Sequence, residues 1–139
     1  MTTPMAQQLM NTTFTSSIAT HQRLKNLSAT FGCSEDLVSR YAIGISLRKG
    51  PIPQGWEPSV LNQNLTVLNG KSIRGKTMFK DQLSLFLVML AMHEPEAESD
   101  DVRALFTLHW ERGVEFMANT IGDLDWLEFL TSEAELLPQ

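Results

Sequence analysis

From Leu83 to Met92 the chain reads LSLFLVMLAM, ten residues without a charge, closed by His93 and Glu94. No other stretch restricts the fold as strongly. It is half of the roughly 20 apolar residues a helix needs to cross a bilayer, so a membrane span is not expected. Met78, Phe79, Leu83, Phe86, Leu87 and Leu90 recur at helical spacing. The expectation is one helix from about Thr77 to Met92, buried in a domain core and ended by Pro95 and the acidic run EPEAESDD. A chain of 139 residues with 42% hydrophobic content holds one such core.

The rest of the chain supplies partners for that helix. Ser17 can cap a helix over Ile18 to Phe31, with Leu24 and Leu27 on its apolar stripe and Gly32 as its stop. Ser34 caps the next helix almost at once. Glu35 and Asp36 sit in its first turn, where the helix dipole favours anions, and Leu37, Val38, Tyr41, Ala42 and Ile45 form its stripe. These two helices, joined by Gly-Cys-Ser and ended by Gly50-Pro51, make a hairpin of helix-turn-helix type, which is either a packing unit or a DNA reader. PIPQGWEP, Pro51 to Pro58, is an irregular connector that Trp56 pins to the core. Leu65 to Ile73 suggests a small hairpin or two extended pieces about Asn69-Gly70. Ser99 starts a helix with the stripe Val102, Leu105, Phe106, Trp110, Val114 and Met117, and Asp123 or Asp125 starts a short last one carrying Trp126, Leu127, Phe129 and Leu130. The fold class is therefore all-α, a compact bundle of about five helices. Residues 1–17, rich in Thr, Ser and Gln, read as a flexible arm ahead of a single domain spanning 18–139.

Charge is split along the chain. Residues 1–93 hold nine Lys/Arg against four Asp/Glu, a net of +5, whereas residues 94–139 hold two against twelve, a net of -10. A split of this kind is either a basic face for a polyanion with an acidic face for something else, or simply solvated surface. GKSIRGKTMFKD, Gly70 to Asp81, concentrates Lys71, Arg74, Lys76 and Lys80 in a loop and a helix start. Its glycines allow close backbone approach, and its amides attract anions. It lacks the spacing of a Walker loop, so tight ATP binding is not expected.

Other chemistry is thin. Cys33 occupies a turn that needs a small residue and reads as a packing thiol. His93, Glu94, Glu96 and His109 offer metal-ligand atoms at no recognised spacing, so no metal site is expected. Asp123 and Asp125 read as helix-start residues. One cysteine forms no internal disulfide, and the first residues carry neither a basic start nor an apolar run, which points to the cytosol.

Three segments carry a family resemblance. RLKNLSATFGCSEDLVSRYAIGISLRKG, with Arg23-Leu24, Gly32, Ser34, Arg40, Ala42 and Ser46-Leu47, resembles the start of the DndE proteins of DNA phosphorothioation. LNGKSIRGKTMFKD is similar to that family's glycine-containing segment before its central helix, and HWERGVEFM, His109 to Met117, to its His-x-x-Arg-Gly helix. Phe31 stands where the family usually has Thr, Cys33 replaces an apolar residue, and the arm is long. The resemblance implies an all-α domain related to ribbon-helix-helix DNA binders and a homo-oligomer, with a tetramer associated with the family. It also implies binding of double-stranded DNA with a liking for nicks, cooperation with other sulfur-modification proteins, and no cofactor or catalytic role. Joined to the charge pattern, it assigns the DNA-binding face to Arg23, Lys25, Ser34, Arg40, Lys71, Arg74, Lys76 and Lys80. Two other readings compete: an assembly scaffold of the modification complex, and a ribbon-helix-helix repressor, which would need an ordered strand near Phe14.

Overall fold

The structure, a computed structural model, describes residues 5–61 and 64–121. In chain order the elements are α1 (Met5–Met10), β1 (Thr13–Thr15), α2 (Ile18–Phe31), α3 (Glu35–Arg48), β2 (Ser72–Arg74), α4 (Gly75–Met78), α5 (Leu83–His93) and α6 (Val102–Ile121). Single 3₁₀ turns at Lys80–Gln82 and Ser99–Asp101 lead into α5 and α6. The molecule is mostly helical, with one two-stranded antiparallel sheet. The last helix expected from Asp123 or Asp125 lies outside the described residues.

The helical hairpin forms where its capping residues require. Ser17 Oγ accepts from the Thr20 amide at 3.2 Å, and Ser34 Oγ from the Leu37 amide at 3.1 Å. Each satisfies an amide that the first helical turn leaves without a partner. Gly32, at φ 68°, turns the chain out of α2 and donates to Ser28 O, a left-handed position that favours glycine. Leu24, Leu27, Val38, Ala42 and Ile45 are buried as expected, but Ile18, Leu37 and Tyr41 are exposed. The buried face of α3 is turned toward Ile43 and Leu47 instead, because α3 lies along α6.

Helix α6 is the axis of the packing. Val102, Phe106, Trp110, Val114 and Met117 line its buried face, and the buried Trp110 indole donates to Ser39 Oγ on α3 at 2.8 Å. The two backbones nearly touch at one place. A Cβ added at Gly113 would stand 1.9 Å from Ala42 O and 2.8 Å from Ala42 Cα, so only glycine admits this crossing.

Four expectations change. The arm is ordered from residue 5: α1 forms, and β1 pairs antiparallel with β2 in the register Thr13 with Arg74, Phe14 with Ile73 and Thr15 with Ser72. Leu9 and Phe14 belong to the single core cluster, so the core reaches past the boundary drawn at residue 18. Asn69-Gly70 therefore closes no hairpin, because the partner of the strand at Ile73 comes from the start of the chain. The helix expected over Thr77 to Met92 is broken: α4 ends at Met78, Lys80 takes φ 51°, and α5 starts at Leu83. No Gly or Pro marks this break. Phe79 is held at ring-centroid distances of 5.7 Å from Phe14, 5.2 Å from Phe86 and 4.9 Å from Phe106, and that aromatic packing overrides helix propensity. Nor is α5 buried all round, since Leu85, Val88 and Met92 face outward.

Trp56 is only half-buried and lies outside the core cluster. Three consecutive residues of α2 instead hold the segment that follows the connector, between Ser59 and Asn69. His21 Nδ1 meets Asn69 O at 2.6 Å, Gln22 Oε1 accepts from the Thr66 amide at 2.6 Å, and Arg23 Nη2 donates to Ser59 O at 2.8 Å. A loop without its own ladder needs such partners for its polar backbone.

The crossing yields a paired test in urea unfolding. Gly113→Ala pushes α3 and α6 apart and should cost about 3 kcal/mol, the upper part of the range for an overpacked core. Gly44→Ala places its methyl in open space within α3 and should stabilise by about 0.5–1 kcal/mol.

Candidate nucleic-acid interface

The cationic residues named from the sequence fall into three groups. Arg23 is not available to a nucleic acid: it is 4% exposed, bonded to Ser59 O and 3.5 Å from Glu115. This is a correction to its assignment on the DNA-binding face, and its cause is that Arg23 ties α2 to Ser59 O and to Glu115 of α6. Ser34 spends its hydroxyl on the Leu37 amide, and Glu35 and Asp36 follow it, so acids already occupy the start of α3. Lys71 Nζ lies 3.6 Å from Glu35 Oε1, the oxygen that also stands 3.6 Å from His21 Nε2. Its charge is partly balanced.

The second group is Lys25, whose ammonium bonds Thr66 Oγ1 at 3.1 Å on the exposed side of α2. The third group lies together. Arg40 Nη1 reaches Thr77 O and Met78 O, both at 3.4 Å, which fixes it beside α4. Lys76 is in α4, Arg74 immediately precedes it and Lys80 follows it. Arg74, Lys76 and Lys80 are exposed, and they form no ion pair with a described residue. Arg40 thus lies beside α4, and Arg74, Lys76 and Lys80 are exposed in and around that helix, with Lys71 just ahead of β2.

The glycines of this segment serve a different end from the one expected. A Cβ at Gly70 would lie 1.8 Å from Ser16 O, and one at Gly75 would lie 1.8 Å from Leu9 O. The backbone thus comes close to the chain's own first segment, not to a ligand. The Gly75 amide is likewise bonded to Thr12 O at 2.8 Å. What this segment offers a polyanion is side-chain charge.

A second polar group lies inside the protein, and sequence reasoning separated its members. Glu94 and His109, considered only as metal-ligand types, meet at 2.8 Å through His109 Nε2. Ser46 Oγ lies 2.8 Å from His109 Nδ1 and 2.8 Å from Arg112 Nε. Arg112 can only donate, so Ser46 accepts from it, donates to His109 Nδ1, and leaves His109 Nε2–H to donate to Glu94. Arg112 also donates to Ser46 O, Gly50 O and Pro51 O, and Glu94 accepts from the Ile52 amide. The Ser-His-acid order resembles a hydrolytic triad, but Ser46 is 1% and His109 0% exposed, which closes the hydroxyl to a substrate. The network ties the end of α3, the end of α5 and the middle of α6 to one another. His-x-x-Arg spacing, which puts His109 and Arg112 on neighbouring turns of one helix face, was the signal available for it. Among the described residues no three His, Cys, Asp or Glu side chains gather as metal ligands, and no helix is long and apolar enough to cross a membrane.

A two-stranded ribbon feeding a helical hairpin, closed by one long helix and edged with exposed cations, defines a small, mostly helical protein. A family profile described as DNA sulphur modification protein DndE matches residues 14–122, and the chain belongs to that family. Among solved structures it is similar to DndE from Escherichia coli B7A, described as involved in DNA phosphorothioation modification. That match has 18% identity and a TM-score of 0.54, and covers 78% of this chain and 97% of the other. No curated protein sequence matches. The resemblance read from the three sequence segments is thus borne out.

Burial, then the charges of Arg112 and His93, pull the His109 pKa from 6.5 down to about 4 against the favourable bond to Glu94. A histidine whose folded pKa is depressed is fully stabilising above the unfolded value, and its contribution is lost as pH falls toward the folded one. Urea midpoints should therefore drop between pH 7 and pH 4, with on the order of 3 kcal/mol carried by this group. His109→Gln, which has no titrating ring, should show a shallower fall. Arg23→Ala should also lower stability, by about 3 kcal/mol, by leaving the Glu115 carboxylate without its cation.

Proposed function

We propose that the chain is a non-catalytic, cytoplasmic DNA-binding subunit of a DNA sulfur-modification system. In this reading it grips double-stranded DNA, preferring nicked duplex, and works as a homo-oligomer beside the other modification proteins. The observation that carries the reading is the set of exposed cations without ion-pair partners among the described residues, Arg74, Lys76 and Lys80, with Arg40 held beside α4, on a chain of net charge -5. Free cations on an otherwise acidic molecule favour a phosphate backbone, because each phosphate they neutralise releases condensed counterions. Lys71 joins the grip when a phosphate competes with Glu35 for it, and Lys25 extends it along α2. The exposed acids Glu96, Glu98, Asp100 and Asp101 repel DNA, so the duplex lies away from them. Sequence preference is weak, since contacts of this kind position a duplex and carry no base information.

The strand-helix-helix order of β1, α2 and α3 supports a relation to ribbon-helix-helix binders, and the ordered strand at Phe14 meets one requirement of a repressor. Within this chain, however, β1 is paired with β2 and Phe14 is buried. That arrangement favours a ribbon serving the core over one reading an operator.

Retention of labelled intact and nicked duplex at two ionic strengths tests the proposal. Lys71→Ala/Arg74→Ala/Lys76→Ala should keep the native melting transition. It should lose affinity at low salt and flatten the dependence of log affinity on log salt by about 2–3, at roughly 0.9 for each lost phosphate contact. Retention by the folded variant equal to that of the wild type overturns the reading.

A further inference from the structure

The acids in the described part of the second half of the chain divide into those the fold uses and two that it does not. Glu111 and Glu115 accept from backbone amides of the first half, and Glu98 and Asp101 close a capping box at the 3₁₀ turn before α6. Glu96 and Asp100 are exposed and enter no hydrogen bond or ion pair with a described residue. Their chain neighbours Ala97 and Ser99 line a groove of about 340 Å³ whose apolar wall is Leu87, Leu90 and Ala91 of α5 with Val102 of α6. At helical spacing these α5 residues lie on the far side of the helix from the exposed Leu85, Val88 and Met92, so the groove is separate from that outward face.

One carboxylate is set into the wall of the groove. Glu94 lines it at 9% exposure. Its Oε2 accepts from His109 Nε2 and from the Ile52 amide, whereas its Oε1 has no hydrogen-bond partner among the described residues. A carboxylate largely shut off from water is stabilised by each charged donor it gains. No Lys, Arg or His among the described residues lines the groove, so its own walls supply no such donor.

We propose that the groove receives a lysine or arginine side chain from a basic segment of a second, different protein. The charged head bonds Glu94 Oε1, the methylene stem lies on the apolar wall, and neighbouring cations of the same segment meet Glu96 and Asp100. A long cationic side chain suits the place because its stem is apolar and only its head is charged. An acidic head is repelled there, and an uncharged one leaves the carboxylate unpaired. This rests on the reading that the chain works beside other modification proteins, and it names the contact on this chain and the chemistry of what fills it.

Other occupants fit less well. DNA has the wrong charge for Glu94, Glu96 and Asp100. The residues after Ile121 include Asp123, Asp125, Glu128, Glu133 and Glu135 with no Lys or Arg, so they bring no cation. The exposed cations around α4 of a second copy are the ones that the phosphate backbone takes in the proposed function.

Fluorescence anisotropy tests the contact on the full chain with a fluorescein-labelled peptide of Lys, Leu and Ala. The same peptide with acetylated lysines keeps the stems and loses the charge. The wild type should bind the lysine peptide at least tenfold more tightly than the acetylated one. Ala91→Phe fills the groove from an exposed position and leaves every charge in place, and it should weaken binding of the lysine peptide at least tenfold. Glu96→Lys/Asp100→Lys should weaken it as much. Equal binding of the two peptides by the wild type overturns the proposal. A folded Ala91→Phe protein that binds like the wild type also overturns it, because the contact is then general surface charge. If Ala91→Phe does not fold, Ala97→Phe, at another lining position, decides in its place. A wild type that binds no peptide, and whose sedimentation shifts on Ala91→Phe, assigns the groove to a second copy and overturns the proposal as well. Duplex retention by the same proteins depends on the cations around α4 and not on the groove. A wild type that binds the peptide but not DNA therefore overturns the DNA reading alone, and one that binds DNA but not the peptide overturns this inference alone.

Discussion

Everything in this molecule hangs on the place where α3 and α6 touch backbone to backbone. With Gly113 against Ala42 O, the two helices are close enough for the Trp110 indole to reach Ser39 and for Arg112 to reach Ser46. The first bond is buried and the second part-buried, and each would be costly if left unmade. The close crossing therefore sets the alignment of the polar groups, and the polar groups in turn set the angle and register of the crossing. Apolar residues alone would tolerate several neighbouring registers at similar energy; a core with buried donors and acceptors tolerates fewer.

From that axis the remaining parts are held at a distance by side chains. Glu111 of α6 accepts from the Ser17 amide at 2.5 Å and so anchors the entry to α2. Glu115, one turn on, takes the Ser59 amide and faces Arg23. Glu94 takes the Ile52 amide. Three of the twelve acids that make the second half of the chain so negative are thus structural ligands of the backbone in the first half. The cations show the complementary division: Arg23 and Arg112 are consumed inside, and those around α4 are left outside. A count of charges along the chain cannot make this separation, because it depends on which helix face looks inward.

The parts legible in the sequence were those governed by local rules. Ser17, Gly32 and Ser34 bounded α2 and α3 because capping is decided within a turn, and the α6 stripe from Val102 to Met117 emerged from its period. What was not legible depended on residues far apart. Phe14 looked like an isolated aromatic in a polar arm, since its partners Ile73 and Phe79 lie more than 50 positions away. Gly70 and Gly75 looked like openings for a ligand, but the carbonyls of Ser16 and Leu9 fill those openings. Arg23 looked like a surface cation because its carboxylate partner is on α6. LSLFLVMLAM looked wholly buried because apolarity alone does not tell which face of a helix looks inward. Of the candidate site, the Lys71–Lys80 cluster was visible as composition, and Arg40 beside it only as a family position.

The pairing of β1 with β2 also bears on how the chain is made. Synthesis proceeds at about 5–20 residues per second, so Phe14 leaves the ribosome several seconds before Ile73 exists to cover it. Helix α3 waits in the same way for α6. The nascent chain must therefore carry an uncovered hairpin until α6 has been translated, so the first helices to be made are completed by the last of the described elements.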